Sequence, residues 1–338
     1  YASVKEISSQ GIKMGNFKTQ LFLPVLLAVV SSCSSIQKMA IGTTSGVFYK
    51  AANDIQTENN WDNFKQATLS NLQLAETLLS IKKDDENLLV SLTKGYSSYA
   101  FIVNETEFLN DYLAENEKET HSKKAIHNYT KSLKYGMRFL NENGVTYKKL
   151  VKSSGSEKGV YNLLDANFSD DVLDVEGVIF TAQSMISMIN LQRTNMTLIA
   201  QLPIAKQMMD WACEKRPNIH FGYCKIFYGA YEGGRPRMLG GNPEKGKKYF
   251  LDLIQEQPHN WLARIAYVQY YLIPMVDEDG YREQKFFLET ALRKHRSEKK
   301  WSPGKKEDEV FKNKLLRLFQ ATAMKRFETI KKYEKDIF

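Results

Sequence analysis

AKQMMDWACEKRP, residues 205–217, sets a small residue at Ala205, a large one four positions on at Met209, a small one three later at Ala212 and a proline at Pro217. On an α-helix the first three share a face, and the proline ends it. Small side chains on that face let a neighbouring helix approach closely. The spacing recurs at Gly246, Phe250, Leu253 and Pro258, without proline at Ala125, Tyr129 and Ser132, and weakly at Gln284, Leu288 and Ala291. A repeated close-approach face means helices stacked on helices. Composition agrees: 19 Gly and 8 Pro in 338 residues are too few turns for an all-β chain, while a charged share of 25% and a mean hydropathy of -0.43 fit a globular protein.

The spacing is that of the second helix of a tetratricopeptide repeat, but the copies stand 80, 41 and 38 residues apart rather than at multiples of the usual period. The expectation is an all-α, irregular tetratricopeptide-like solenoid of helical hairpins. Phe64, Ala67, Leu72, Leu74, Leu78 and Leu79 make a first stripe, Lys82 to Asp85 punctuate it, and Leu88, Leu89, Leu92, Tyr96, Tyr99 and Ala100 begin the return helix. A charged insertion then reads from Glu105 to Lys123, and a weaker surface excursion from 145 to 172. Helix resumes from Val178 to Met196. The segment from Glu307 to Phe338 reads as a packing or capping helix for the end of the solenoid.

Ahead of this domain, expected over 45–338, lies an apolar run from Leu21 to Val30, too short to span a bilayer but of the right length for an export signal beginning at Met14. Val30-Ser31-Ser32-Cys33 fits a lipobox, so residues 1–32 read as an upstream extension plus lipoprotein signal, Cys33 as the acylated residue and 33–44 as a tether. Ser34 in place of Asp favours the outer membrane of a two-membrane bacterium, facing the periplasm. The sequons at Asn104, Asn128, Asn167 and Asn195 then occur by chance. The net charge of +8 resides in residues 282–338, which hold 17 Lys or Arg against 9 Asp or Glu. Such an end reads either as a solvated helix face or as a surface for phosphates or anionic headgroups.

Catalytic motifs are sparse. Gly241 to Lys248 follows a phosphate-loop pattern up to its last position, but Lys248 stands where a hydroxyl should bind Mg²⁺ and no apolar strand precedes it. Asn242 and Pro243 read instead as N-cap and first residue of a helix. The five histidines show no metal-binding spacing, and neither Cys213 nor Cys224 belongs to a Cys-x-x-Cys motif. These two can pair across the Pro217 turn or stay as thiols. No enzyme, cofactor, metal or nucleic acid is expected. Tyr223, Phe227, Tyr228, Tyr231, Tyr267, Tyr270 and Tyr271 concentrate on two successive helices, either as inter-helix core or lining a ligand or peptide groove.

Three blocks resemble the T component of TRAP transporters, the TatT family of bacterial lipoproteins: the lipobox; the first hairpin through Asn71-Leu72, Glu86-Asn87-Leu88-Leu89, Gly95-Tyr96 and Tyr99-Ala100-Phe101; and, most specifically, Tyr228-Gly229-Ala230-Tyr231 through Gly233-Gly234-Arg235-Pro236-Arg237-Met238-Leu239-Gly240-Gly241-Asn242-Pro243 to Phe250. The resemblance implies a tetratricopeptide-like periplasmic accessory without catalysis. It would form a homotrimer, dock the solute-binding protein of a TRAP transporter and pass a partly hydrophobic organic ligand through a channel. Gly233, Gly234, Pro236, Gly240 and Gly241 would build the loop between two helices. Tyr228, Tyr231, Arg235, Arg237, Tyr267 and Tyr270 are the candidate ligand or partner contacts. The alternatives are a generic tetratricopeptide scaffold of the envelope and, more remotely, a nucleotide-using enzyme.

Overall fold

Local capping chemistry starts several of the helices where the sequence punctuates them. In the computed structural model, which describes residues 44–116, 119–235 and 237–338, Asn60 caps α1 (Trp61–Ile81), and buried Asp85 caps α2 (Glu86–Tyr99) by accepting from Leu88 N at 3.1 Å. Asn242 caps the helix Pro243–Glu256 by accepting from Lys245 N at 3.0 Å, with Pro243 in its first turn. The signal reading, the tether up to residue 43, including Cys33, and Pro236 lie outside the described residues. Every regular element among the described residues is helical.

Residues 45–338 form one unit. Its amino-terminal half packs α1 on α2, α2 on α4 (Thr120–Glu142), and both α2 and α4 on α7 (Val172–Leu191). Helix α7 is long and apolar enough to cross a membrane by length and composition alone, yet most of it is buried in this unit. Helix α8 (Leu202–Lys215) covers its far side. In the other half α9 (Tyr223–Gly233) pairs with α10 (Pro243–Glu256), α10 with α11 (Trp261–Tyr267), and α12 (Glu278–Glu298) and α11 with α13 (Arg317–Lys332). All four sequence copies of the close-approach face are inside: Ala205, Met209, Ala212, Phe250, Leu253, Ala125, Tyr129, Ser132 and Leu288 are fully buried.

The glycine of the second copy shows why that face demands small residues. A Cβ on Gly246 would stand 2.6 Å from Gly233 N and 2.9 Å from Gly229 O, backbone atoms that cannot yield. Helices α9 and α10 therefore meet backbone to backbone, and Phe250 fills the space beside Gly229. At the crossing loop, a Cβ on Gly241 would lie 1.9 Å from Arg235 O.

Two expectations are corrected, and one that was left open is decided. Residues 105–113 are not a charged insertion: α2 runs through a π-helical turn, Ala100–Asn104, into α3 (Glu105–Leu113), whose Glu105, Thr106, Leu109 and Asp111 are buried. Residues 145–172 are not a surface excursion either. They form α5 (Tyr147–Ser153) and α6 (Gly159–Asp165), with Val145, Leu150, Val160, Leu164 and Phe168 in the core and α6 packed on α8. Lastly, of the two readings of the carboxy-terminal segment, α13 packs rather than capping one end of an open array. It returns to α1, α3 and the turn Ala52–Thr57, so that Leu318 and Ala321 share a core cluster with Trp61, Phe64, Tyr99 and Val103. Hydrophobic burial closes the helical unit on itself.

Candidate functional site

Between α8 and α9, which share few direct contacts, lies an open crevice of about 970 Å³. Its wall holds the Cys213–Cys224 disulfide, with Cα atoms 5.8 Å apart. Ile199, Leu202 and Pro203 supply apolar surface, and Tyr228, Tyr231 and Tyr249 supply rings. Charged groups converge among those rings. Lys206 Nζ sits 2.6 Å from Asp210 Oδ1, 5.4 Å from the Tyr228 ring and 5.5 Å from the Tyr231 ring. The Tyr228 hydroxyl donates to Asp210 Oδ1 at 2.8 Å. Burial, and then the Asp210 charge, push that hydroxyl well above its usual range, so it stays a donor.

Arg235 closes one end. Its guanidinium stacks 3.7 Å from the Tyr231 ring centroid, its Nε donates to Tyr231 O at 3.0 Å and its Nη2 to Gly240 O at 3.1 Å. The crossing loop thus holds a cation flat over an aromatic face. On the other wall, buried Gln207 accepts from Val160 N at 2.9 Å and ties α6 to α8. The result is an amphipathic receptacle: aromatic faces, an aliphatic patch, four cations (Lys158, Lys206, Lys225 and Arg235) and three carboxylates (Glu157, Asp210 and Glu214). No cluster of metal-ligating side chains occurs among the described residues.

The six candidate contacts are thereby sorted. Tyr228, Tyr231 and Arg235 line the crevice. Arg237 is exposed and pairs with Glu244 on the outer side of the crossing loop. Tyr267 is 2% exposed, packed against Tyr271 and Phe250 in the core. Tyr270 faces a polar interior built around Glu105. There the Tyr129 hydroxyl donates to Glu105 Oε1 at 2.5 Å, Ser187 adds a further hydrogen bond, and Arg326 supplies the nearby positive charge. Burial raises Glu105 above the usual carboxylate range, and it lifts Tyr270 up to about 12. Tyr223 and Tyr270 are half-buried, and burial followed by the Glu105 charge raises both hydroxyls.

Lys206 and Asp210 were legible only as an i,i+4 pair on a helix, which is usually a solvated one. Glu105 read only as the start of a charged insertion, and Arg326 carried no sequence signal. Arg326, fully buried, donates to Phe101 O at 2.6 Å, to Thr106 Oγ1 at 3.0 Å and to Gln269 Oε1 at 3.0 Å. Phe101 lies in the first π-helical turn and Gln269 in a second, Val268–Leu272. Trp61 Nε1 takes Ile102 O at 2.9 Å. Two carbonyls of the first π-helical turn thus accept from side chains of distant helices.

A second crevice, of about 580 Å³, has Glu176 and His220 on its floor. Glu176 Oε1 lies 2.7 Å from Lys94 Nζ and 3.0 Å from His220 Nε2, and Glu176 Oε2 accepts from the Tyr49 hydroxyl at 2.8 Å. His220, Phe221 and Gly222 all have positive φ, and that turn aims His220 inward. Burial alone would raise Glu176, but the His220 contact and the Lys94 charge outweigh it and hold the carboxyl at about 2; burial also holds His220 below its ordinary value. Both depressed values act in one direction: the stabilisation is complete above about pH 6.5 and is lost as protons bind below it. Thermal melting midpoints measured from pH 7 downwards should fall continuously, and Glu176→Gln should flatten the acid limb.

Comparison with curated proteins returns no match. The family model of the TRAP transporter T-component matches residues 57–299, which include the first hairpin, the α8–α9 crevice and the crossing loop. The chain therefore belongs to the TRAP transporter T-component family, TatT, and is an accessory component of a TRAP transporter.

Proposed function

We propose that this T component is a lipid-anchored periplasmic protein that docks the solute-binding protein of its transporter and holds a partly hydrophobic organic ligand in the α8–α9 crevice. The observation that carries the reading is the convergence of Tyr228, Tyr231, Lys206 and Arg235 on one open receptacle beside an aliphatic patch. Rings and aliphatic groups desolvate a carbon skeleton while the fixed cations orient a polar end. Acylated Cys33 would supply the anchor, in the outer membrane. The exposed loop bearing Arg237 and Met238 is the surface we assign to the partner, and the interior around Glu105, Tyr223 and Tyr270 the route of ligand passage. Tyr267 shapes the wall behind that route. The reading includes an irregular tetratricopeptide-like array, assembly as a homotrimer and no catalysis.

Purification from detergent-solubilised membranes, with mass spectrometry of proteins and bound small molecules, tests it. The solute-binding protein and an organic ligand should co-purify, and Tyr231→Ala with Lys206→Met should lower ligand occupancy about tenfold or more, given roughly 1 kcal/mol per ring–cation or ring–ligand contact. Recovery of cell-wall assembly factors alone, with an empty crevice, would return the protein to the class of general envelope scaffolds.

A further inference from the structure

The basic carboxy-terminal region is unevenly neutralised, and one loop in it stands apart. After α12, the chain reads Lys299-Lys300-Trp301-Ser302-Pro303-Gly304-Lys305-Lys306, and residues 299–306 are all exposed. Trp301 is 86% exposed, whereas Trp61, Trp211 and Trp261 are 4%, 0% and 1% exposed. An indole left in water forfeits the burial that the other three obtain. The loop is nevertheless ordered. The Lys305 ammonium donates to Ser297 O and Glu298 O at 2.8 Å and to Lys300 O at 3.1 Å, capping the carboxy-terminal end of α12, and pairs with Glu298 at 3.2 Å. Pro303 and Gly304, the latter at φ +69°, make the turn that follows. The fold therefore holds Trp301 outward instead of letting it dock on the protein.

Charge around the indole has one sign. Residues 293–306 contain seven Lys or Arg and a single acid, Glu298, which Lys305 already neutralises. The next three acids are also engaged: Glu307 by Arg317, Asp308 by Lys294 at 2.8 Å and Glu309 by Lys312. Lys299, Lys300 and Lys306 enter no ion pair among the described residues. A protruding indole ringed by unneutralised ammonium groups is complementary to a surface that is negatively charged outside and apolar just beneath.

We infer that the 299–306 loop docks on an anionic phospholipid surface, with Trp301 at the depth of the headgroups and Lys299, Lys300 and Lys306 against lipid phosphates. Trp takes that position because its ring is apolar and its N–H polar. Each lysine near such a surface contributes about 1 kcal/mol, so three together strengthen binding roughly 100-fold. The shape discriminates against the other polyanion. Single-stranded nucleic acid is held in a groove with several stacking rings, and this is one ring on a convex loop. The inference depends neither on the transport reading nor on acylation of Cys33.

Because Trp301 is the one exposed indole of the four, its fluorescence reports its own surroundings in the full chain, whatever else tethers the protein. Emission should shift to the blue with phosphatidylcholine vesicles containing phosphatidylglycerol, and brominated acyl chains should quench it. Trp301→Phe should abolish both responses, and Lys299→Glu, Lys300→Glu and Lys306→Glu combined should weaken the partitioning about 100-fold or more. Salt at 1 M should reverse it, since screening then acts within about 3 Å. Emission unmoved by anionic vesicles, even where the protein sediments with them, overturns the inference, as does equal quenching by vesicles of phosphatidylcholine alone.

Discussion

Arg326→Met should lower the stability of the helical unit by about 3–5 kcal/mol, the cost of removing one partner from a buried charged group. Methionine keeps the aliphatic stem, which isolates the guanidinium's part. Three acceptors lose their donor at once: Phe101 O, Thr106 Oγ1 and the Gln269 side chain. Phe101 and Gln269 each stand in a π-helical turn, so the guanidinium ties the two turns together, and it also stacks 4.3 Å from the Phe101 ring centroid. Arg326→Lys should recover only part of the loss, because a single ammonium cannot fork among three directions. Urea midpoints or calorimetry give the readout, with a fall in Tm of roughly 10 °C expected.

The same substitution carries a pH signature. Glu105 is already raised by burial, and the Arg326 charge is the leading influence pulling it back down. Removing that charge raises Glu105 further. A carboxyl raised in the folded state favours folding most when protonated, below its unfolded value, and that contribution disappears as pH rises through the folded value. The deficit of Arg326→Met should therefore be smaller at pH 5 than at pH 7.5. A deficit independent of pH would mean that Glu105 and Arg326 do not share an electrostatic environment, and the polar interior would lose its central pair.

How far this was legible in the chain depends on the range of the interaction. Ala205, Met209 and Ala212, Gly246 and Phe250, and Ala125 and Tyr129 could be placed on packed faces because helical periodicity is local, and Asn242-Pro243 marked a helix start for the same reason. The aromatic cluster resisted sorting. Tyr267 and Tyr270 sit on either side of the start of a π-helical turn, which inserts an extra residue per turn and rotates everything after it. Counting at 3.6 residues per turn therefore misplaces Tyr270, which meets the interior while Tyr267 meets the core. Glu105 read as the edge of a charged loop because its partners, Tyr129 and Arg326, are 24 and 221 positions away. The crevice was half legible: Tyr228, Tyr231 and Arg235 belong to one short segment, but Lys206 and Asp210 reach it only through the fold.

Removing the Cys213–Cys224 bond, by Cys213→Ser with Cys224→Ser or by reductant, should cost about 3 kcal/mol, the chain-entropy value for closing so short a loop. The structure adds where that loss should appear. Across the α8–α9 seam the remaining ties are few: the Tyr228–Asp210 hydrogen bond at 2.8 Å and the Lys206 ammonium over the rings of Tyr228 and Tyr231. On its other side α9 is welded to α10 through Gly229, Gly233 and Gly246. The seam should therefore open as a local event, with amide exchange accelerated in α9 and at the carboxy-terminal end of α8 while α2, α4 and α7 stay protected. Ligand binding should suffer beyond the stability loss, because a crevice that must first be reassembled spends part of its binding energy on ordering. A reduced protein with unchanged exchange in α9 would show that the seam is held by packing alone. A crevice that then still bound its ligand normally would show that the disulfide serves only the unfolded chain, not the shape of the site.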